Sequence, residues 1–214
     1  MAKVRAYSEL NERFNRPALD VRLRWLNPPP AWSLEPAGLM VRPAAETDFW
    51  QQTHYGFRAD NGHFLYLEVA GDFSVTTKVH FHPAHLYDQA GLMVRVGPSC
   101  WIKTSVEYEA KGPCKLGAVV TNHGYSDWSL QDFPRARRQV QLRIRREAQD
   151  FLVEWKCGAG KNWELFRVAH LHEGAGRPIQ CGLYACSPKG GGFRAEFEFL
   201  RIDSNAASVK SASP

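Results

Sequence analysis

The chain has 214 residues, of which 44% are hydrophobic and 23% charged, with a mean hydropathy of −0.40; that is enough apolar material for one sizeable core and excludes wholesale disorder. No stretch approaches the roughly 18 apolar residues needed to span a bilayer, and the opening MAKVRAYSELNERF carries charge where a signal peptide needs an apolar run, so a cytoplasmic protein without a membrane partner is expected. The formal charge of +5 is local: the first half of the chain is balanced, and the basic excess gathers around Arg135, Arg137, Arg138, Arg143, Arg145 and Arg146.

Taken in chain order, the spacing of Tyr7 to Phe14 predicts a short amphipathic helix within an N-terminal extension of residues 1–22. Asn27-Pro28-Pro29-Pro30 then ends regular structure. A single domain is expected over residues 23–203. From about residue 63 onward apolar side chains recur with period 2 in short segments bounded by Gly, Pro, Asp and Asn, which is the signature of half-buried strands. The clearest runs from Asp72 to His82, with Phe73, Val75, Thr77, Val79 and Phe81 on one face and Ser74, Thr76, Lys78, His80 and His82 on the other. Further strands are predicted near 63–69, 89–96, 101–109, 116–122, 139–145, 151–156, 163–169, 180–186 and 193–199. Gly190-Gly191-Gly192 reads as a hairpin tip, and the Ser- and Ala-rich tail from Ser204 to Pro214 as disordered. Short antiparallel strands at this spacing build an all-β sandwich of two sheets or a jelly roll. The five cysteines lack CxxC spacing and read as reduced thiols, several of them buried.

Parity then selects candidate surface groups. If Ile102, Thr104, Val106 and Tyr108 face the core, Trp101, Lys103, Ser105 and Glu107 face outward. The same argument turns Gln89, Met93 and Arg95 outward. If these strands are neighbours, a flat ring, an amide, two cations and a carboxylate converge, a combination suited to a polyhydroxylated ligand; an ordinary solvated sheet face fits the same residues. Asn122, His123, Tyr125, Ser126, Asp127 and Trp128 fall in a segment whose Asn and Gly predict a loop, either a binding rim or an Asx or ST turn with Trp128 on the core edge. A similar aromatic and polar cluster holds Trp50, His54 and Tyr55.

Together, Asp48-Phe49-Trp50 to His54-Tyr55-Gly56-Phe57, Asp60-Asn61-Gly62-His63-Phe64, Tyr87-Asp88-Gln89-Ala90-Gly91-Leu92-Met93, Trp101-Ile102-Lys103, Glu107-Tyr108, Val119-Val120-Thr121-Asn122 and Tyr125-Ser126-Asp127-Trp128-Ser129 resemble the DUF1349 family. That family includes the regulator-of-enolase proteins and is grouped with the concanavalin A-like lectins and glucanases. The resemblance covers roughly residues 23–203. It implies a concanavalin A-like jelly-roll sandwich whose concave face carries Gln89, Arg95, Trp101, Lys103 and Glu107, with Trp50, His54, Tyr55 and the Asn122 to Trp128 segment at its rim. On this expectation Trp101 or Trp128 stacks on a carbohydrate, Gln89 and Asn122 supply amide hydrogen bonds, and Arg95 with Lys103 favours a sugar phosphate.

Other chemistries fit less well. Glycoside hydrolysis needs two carboxylates about 5–9.5 Å apart; the E-x-D-x-E strand of the superfamily's glucanases is absent, which leaves Glu107 with Asp127 or Asp88 as a pair only if folding unites them. His80 and His82 share a strand face and His85 follows, yet no third ligand is assured, so no metal is expected, and no cofactor motif occurs. The arginine cluster has no recognition helix or aromatic platform beside it, which makes nucleic acid a poor fit; an acidic protein partner or a solvated face fits at least as well.

Overall fold

The computed structural model describes residues 9–158 and 162–204. Among them all regular structure is β, in seventeen strands. The first six are β1 (Leu10–Glu12), β2 (Arg24–Leu26), β3 (Ala31–Glu35), β4 (Gly38–Arg42), β5 (Phe49–Gln51) and β6 (Arg58–Asp60). Then come β7 (His63–Val69), β8 (Phe73–His82), β9 (Gln89–Gly97), β10 (Cys100–Glu107), β11 (Cys114–Asn122) and β12 (Tyr125–Phe133). The chain finishes with β13 (Gln139–Glu147), β14 (Asp150–Lys156), β15 (Glu164–His170), β16 (Ile179–Cys186) and β17 (Arg194–Ser204).

One sheet has seven strands in the order β12-β11-β10-β9-β16-β7-β2, and the other runs β15-β14-β13-β8-β17-β4-β3 with β1 added against β17. All the named strand pairs are antiparallel. The period-2 residues do what their spacing demands. Phe73, Val75, Val79 and Phe81 of β8, Leu92 and Val94 of β9, and Ile102 and Val106 of β10 meet between the sheets in one continuous core. Burial of these faces out of water is the main force holding the layers together.

A second, smaller apolar cluster lies on the other face of the seven-stranded sheet. Phe64, Met93, Trp101, Val119, Tyr184 and Cys186 occupy the outward parity of five neighbouring strands and are capped by Phe49. Phe49 belongs to the separate two-stranded β5-β6 hairpin. This extra layer seals part of the outer face and leaves a hollow beside it.

Several expectations need correction. Within the described part of the predicted 7–14 helix the regular structure is strand β1, paired with Leu200 to Ile202 of β17. Leu10 and Phe14 are buried in the main core, so this stretch is part of the sandwich rather than an appendage. The segment predicted as a loop after Asn122 is a hairpin: Asn122 pairs with Tyr125, and His123 (φ 51°) with Gly124 (φ 76°) makes the turn. Two successive left-handed residues match the twist of the flanking strands, and glycine supplies the second without penalty. Gly190 to Gly192 is not a hairpin tip, because it joins β16 in one sheet to β17 in the other. The proposed disorder of residues 205–214 lies outside the described residues. The cysteines are all free, and only Cys157 is not buried.

Candidate functional site

The register fixes what the outward residues of β9 and β10 can meet. Gln89 is paired with Glu107, Met93 with Lys103 and Arg95 with Trp101, so these side chains rise from one sheet face. They do not form one open patch, because the β5-β6 hairpin divides them.

At one end the hairpin closes the face. Arg95 is buried and forms a two-pronged pair with Asp60 of β6, both contacts at 2.8 Å. Trp101 is fully buried; its ring lies edge-on to Phe49 with centroids 6.3 Å apart, and its indole N–H donates to the Pro98 carbonyl at 3.1 Å. Arg95 and Trp101 therefore do not line the hollow. Nor do Asn122 and His123. The Asn122 amide donates to the His170 carbonyl at 2.8 Å and accepts from the His172 N–H at 3.1 Å, while His123 stacks on His172.

At the other end a cavity of about 830 Å³ opens over Gln89, Lys103 and Glu107. Trp50, His54 and Tyr55 of the hairpin and Tyr125, Ser126, Asp127 and Trp128 of β12 complete the expected part of its lining. Glu46, Asp48, Thr53, Phe57, Tyr87, Val119, Pro188 and Lys189 also line it and were not expected. Of these, Asp48, Phe57 and Tyr87 lie inside aromatic and polar sequence clusters that could have signalled them; Pro188 and Lys189 reach the cavity through the connection between sheets, which carries no local signal.

The floor is polar, and of its charged groups Lys103 and Asp48 are paired. Lys103 Nζ is 2.8 Å from Asp48 Oδ1 and 5.8 Å from the Tyr184 ring centroid. Desolvation is the largest influence and disfavours the ammonium, but the acidic groups around it, Asp48 foremost, together hold Lys103 above its ordinary value. Glu107 lies beyond. Its Oε2 accepts from Gln89 Nε2 at 3.0 Å, and Gln89 Oε1 in turn accepts from Tyr184 O–H at 3.1 Å. Burial pushes the Glu107 carboxyl up to about 8 against the pull of Lys103. Gln89 also donates to the Tyr87 carbonyl at 3.3 Å, so its amide supports Glu107 and is not a free hydrogen-bond donor as expected.

The walls are aromatic. The Trp50 and Trp128 rings stand nearly perpendicular, 88° apart with centroids at 6.5 Å. Trp50 is fixed by its indole N–H donating to the Thr53 carbonyl at 2.9 Å. Trp128 can lie flat because β11 carries Gly117 beneath it; a Cβ there would meet Trp128 Nε1 at 2.8 Å. Tyr55, Phe57 and Tyr125 stay largely exposed at the rim. Ser126 ties hairpin to sheet: its Oγ accepts from the Gln51 N–H at 2.9 Å and lies 2.8 Å from Thr121 Oγ1. Around this margin Glu46, Gln52, His54, Tyr55 and Tyr87 all have left-handed backbones (φ 56–70°), a conformation that side-chain-bearing residues adopt at a cost and that collects at ligand sites.

Outside the cavity, the other candidate groups are internally satisfied. His80 Nε2 lies 2.6 Å from Glu198 and His82 Nε2 3.3 Å from Glu196, and among the described residues no cluster of His, Cys, Asp or Glu is arranged to hold a metal. Arg143 and Arg145 share Glu154, Arg135 bonds the Glu109 carbonyl and the Tyr108 hydroxyl, and Arg146 is buried on backbone carbonyls. Arg137 and Arg138 remain exposed. Among the described residues there is no helix long and apolar enough to cross a membrane.

The fold and this hollow define a β-sandwich with an aromatic-walled cavity on the outer face of one sheet. The chain belongs to the family described as a protein of unknown function, DUF1349, which matches residues 25–205. Regulation of enolase protein 1 of Saccharomyces cerevisiae is 34% identical over 173 residues, covering 81% of this chain and 85% of that protein. A crystal structure of a functionally unknown protein from Saccharomyces cerevisiae superposes with a TM-score of 0.79 at 32% identity over 87% of this chain and 98% of that one. The xylan β-1,4-xylosidase of Bacillus halodurans C-125 shares the fold at a TM-score of 0.72 and 16% identity; the match covers 91% of this chain but only 39% of the enzyme.

Proposed function

We propose that this protein is a binding module whose outer-face cavity takes a small polyhydroxylated ligand, a carbohydrate being the class that fits. The observation that carries the reading is the union of a polar floor, made by the Lys103–Asp48 pair and the Gln89–Glu107 hydrogen bond, with the perpendicular Trp50 and Trp128 rings. Aromatic faces cover the C–H surfaces of a sugar ring while polar groups take its hydroxyls. The site does not favour a sugar phosphate, since Arg95 and Lys103 already answer Asp60 and Asp48. Hydrolysis fits less well than binding. Glu107 and Asp127 do line one cavity, but the Asp127 side chain is 69% exposed and pairs with Arg167, so nothing around it prepares a second catalytic carboxylate. Calorimetric titration with neutral mono- and oligosaccharides tests the proposal. Binding should occur and weaken at least about tenfold in Trp128→Ala; no heat with any sugar, or undiminished binding in that variant, overturns it.

A second reading draws on the yeast relative, Regulation of enolase protein 1, and takes this chain to be a regulatory module that meets a protein partner. The exposed Arg137 and Arg138 are the part of the arginine cluster left for an acidic partner. A salt-sensitive pull-down of one acidic protein, lost in Arg137→Glu/Arg138→Glu, supports this reading; retention in that variant rejects it.

A further inference from the structure

Four acids, Glu46, Asp48, Glu107 and Asp127, line the cavity against two lysines, Lys103 and Lys189. Lys103 is held by Asp48 at 2.8 Å, and Asp127 is answered by Arg167 at 3.0 Å. Glu46 and Glu107 have no ion-pair partner within 4 Å among the described residues, and Lys189 is exposed beside the Tyr87 ring, its Nζ 5.8 Å from the centroid. Only one Glu107 oxygen, Oε2, accepts a hydrogen bond among the described residues, from Gln89. The other is left for whatever enters the cavity. Lys115, which pairs with Glu107 across the strand, is bonded to Asp132 at 2.6 Å. The walls add a second preference of the same sign. Trp50 and Trp128 form a right-angled corner, and with Tyr55, Tyr87 and Tyr125 also lining the hollow they surround it with π faces. Such faces attract cations, most strongly weakly hydrated ammonium groups, and indole is the best of them.

From the carboxyl groups of Glu107 and Glu46, which lack an ion-pair partner among the described residues, and the aromatic corner above them, we propose that the ligand carries an ammonium group, as an amino sugar or alkylammonium compound does, seated between Glu107 and the Trp50–Trp128 corner. This rests on the reading of the cavity as a ligand site and narrows its ligand class. Ammonium binding would favour the ionised form of Glu107 and give it the partner that it lacks among the described residues, whereas a phosphate or carboxylate at the same position would find Lys103 already held by Asp48.

The test uses the full chain and isothermal titration with choline, with its uncharged isostere 3,3-dimethyl-1-butanol, and with glucosamine, glucose and glucose 6-phosphate. Choline should bind about tenfold or more tightly than the isostere and glucosamine more tightly than glucose, with glucose 6-phosphate the weakest. Glu107→Gln should bring the choline-to-isostere ratio below about threefold, and Trp128→Leu should weaken choline by about tenfold. Thermal melts of both variants confirm that they are folded. Equal affinity for choline and its isostere, or a preference that survives Glu107→Gln in folded protein, overturns the proposal. If neutral sugars bind and choline does not, the ammonium assignment falls while the carbohydrate reading stands; if none of the probes binds, both fall.

Discussion

Glu107 titrates near 4.5 in an unfolded chain and near 8 in the folded one, because burial disfavours its charge more than Lys103 favours it. Between those values the folded protein keeps a proton that the unfolded chain has released. Stability therefore falls as pH rises through that window, by at most about 1.4 kcal/mol per unit from this group. Glu107→Gln is neutral throughout and should remove the effect. Its unfolding free energy should be close to the parent's at pH 5 and exceed it at pH 9, where the difference should reach about 2 kcal/mol or more; equal differences at both pH values would show that the carboxyl is not buried against ionisation. Trp101 makes the contrasting residue-scale prediction. Sealed beneath Phe49, it is a packing residue, and Trp101→Ala should cost about 3–5 kcal/mol in urea unfolding. A loss below about 1 kcal/mol would return it to the surface role that parity alone suggested.

The parity argument was right about direction and wrong about exposure, and the reason lies in the β5-β6 hairpin. Alternation in β9 and β10 tells which face a side chain leaves by, but not that a segment forty residues earlier folds back over half of that face. The hairpin is held by two ion pairs, Arg95–Asp60 and Lys103–Asp48, in which the cations are buried. Asp48→Ala would strand the Lys103 ammonium and should destabilise the protein by about 3 kcal/mol, whereas Lys103→Met/Asp48→Leu should restore most of that loss; chemical denaturation of the three proteins decides it. Strand β12 was missed for a different reason. His123-Gly124 is a two-residue hairpin turn, but the Asn, Gly and Ser around it look equally like a loop, and β12 is an edge strand with weak alternation of burial. Its placement over Gly117 gives a direct test of how the tryptophan wall is set. Gly117→Ala should push the Trp128 ring away and weaken ligand binding several-fold with a stability change of about 1 kcal/mol or less; tryptophan fluorescence reports the displacement, and an unchanged spectrum and affinity would contradict it.

At the scale of the whole molecule, the sandwich was legible because each layer buries a period-2 face, and most strands from β7 onward are long enough to show that period, β12 being the exception. Strands β1 to β6 were not read, since three to five residues are too few for a period to declare itself and their burial depends on partners distant in sequence. The cavity follows from the same long-range arrangement: β9 and β10 supply its floor, the hairpin one wall, β12 the other, and the β16-β17 connection adds Lys189. No local motif spans these four sources. The central claim is that they meet around a ligand, and nuclear magnetic resonance mapping with a panel of neutral and amino sugars tests it most directly. Binding should shift the indole N–H signals of Trp50 and Trp128 and the side-chain amide of Gln89, while the buried Trp101 indole moves little. A panel that leaves the Trp50 and Trp128 signals in place would contradict the claim.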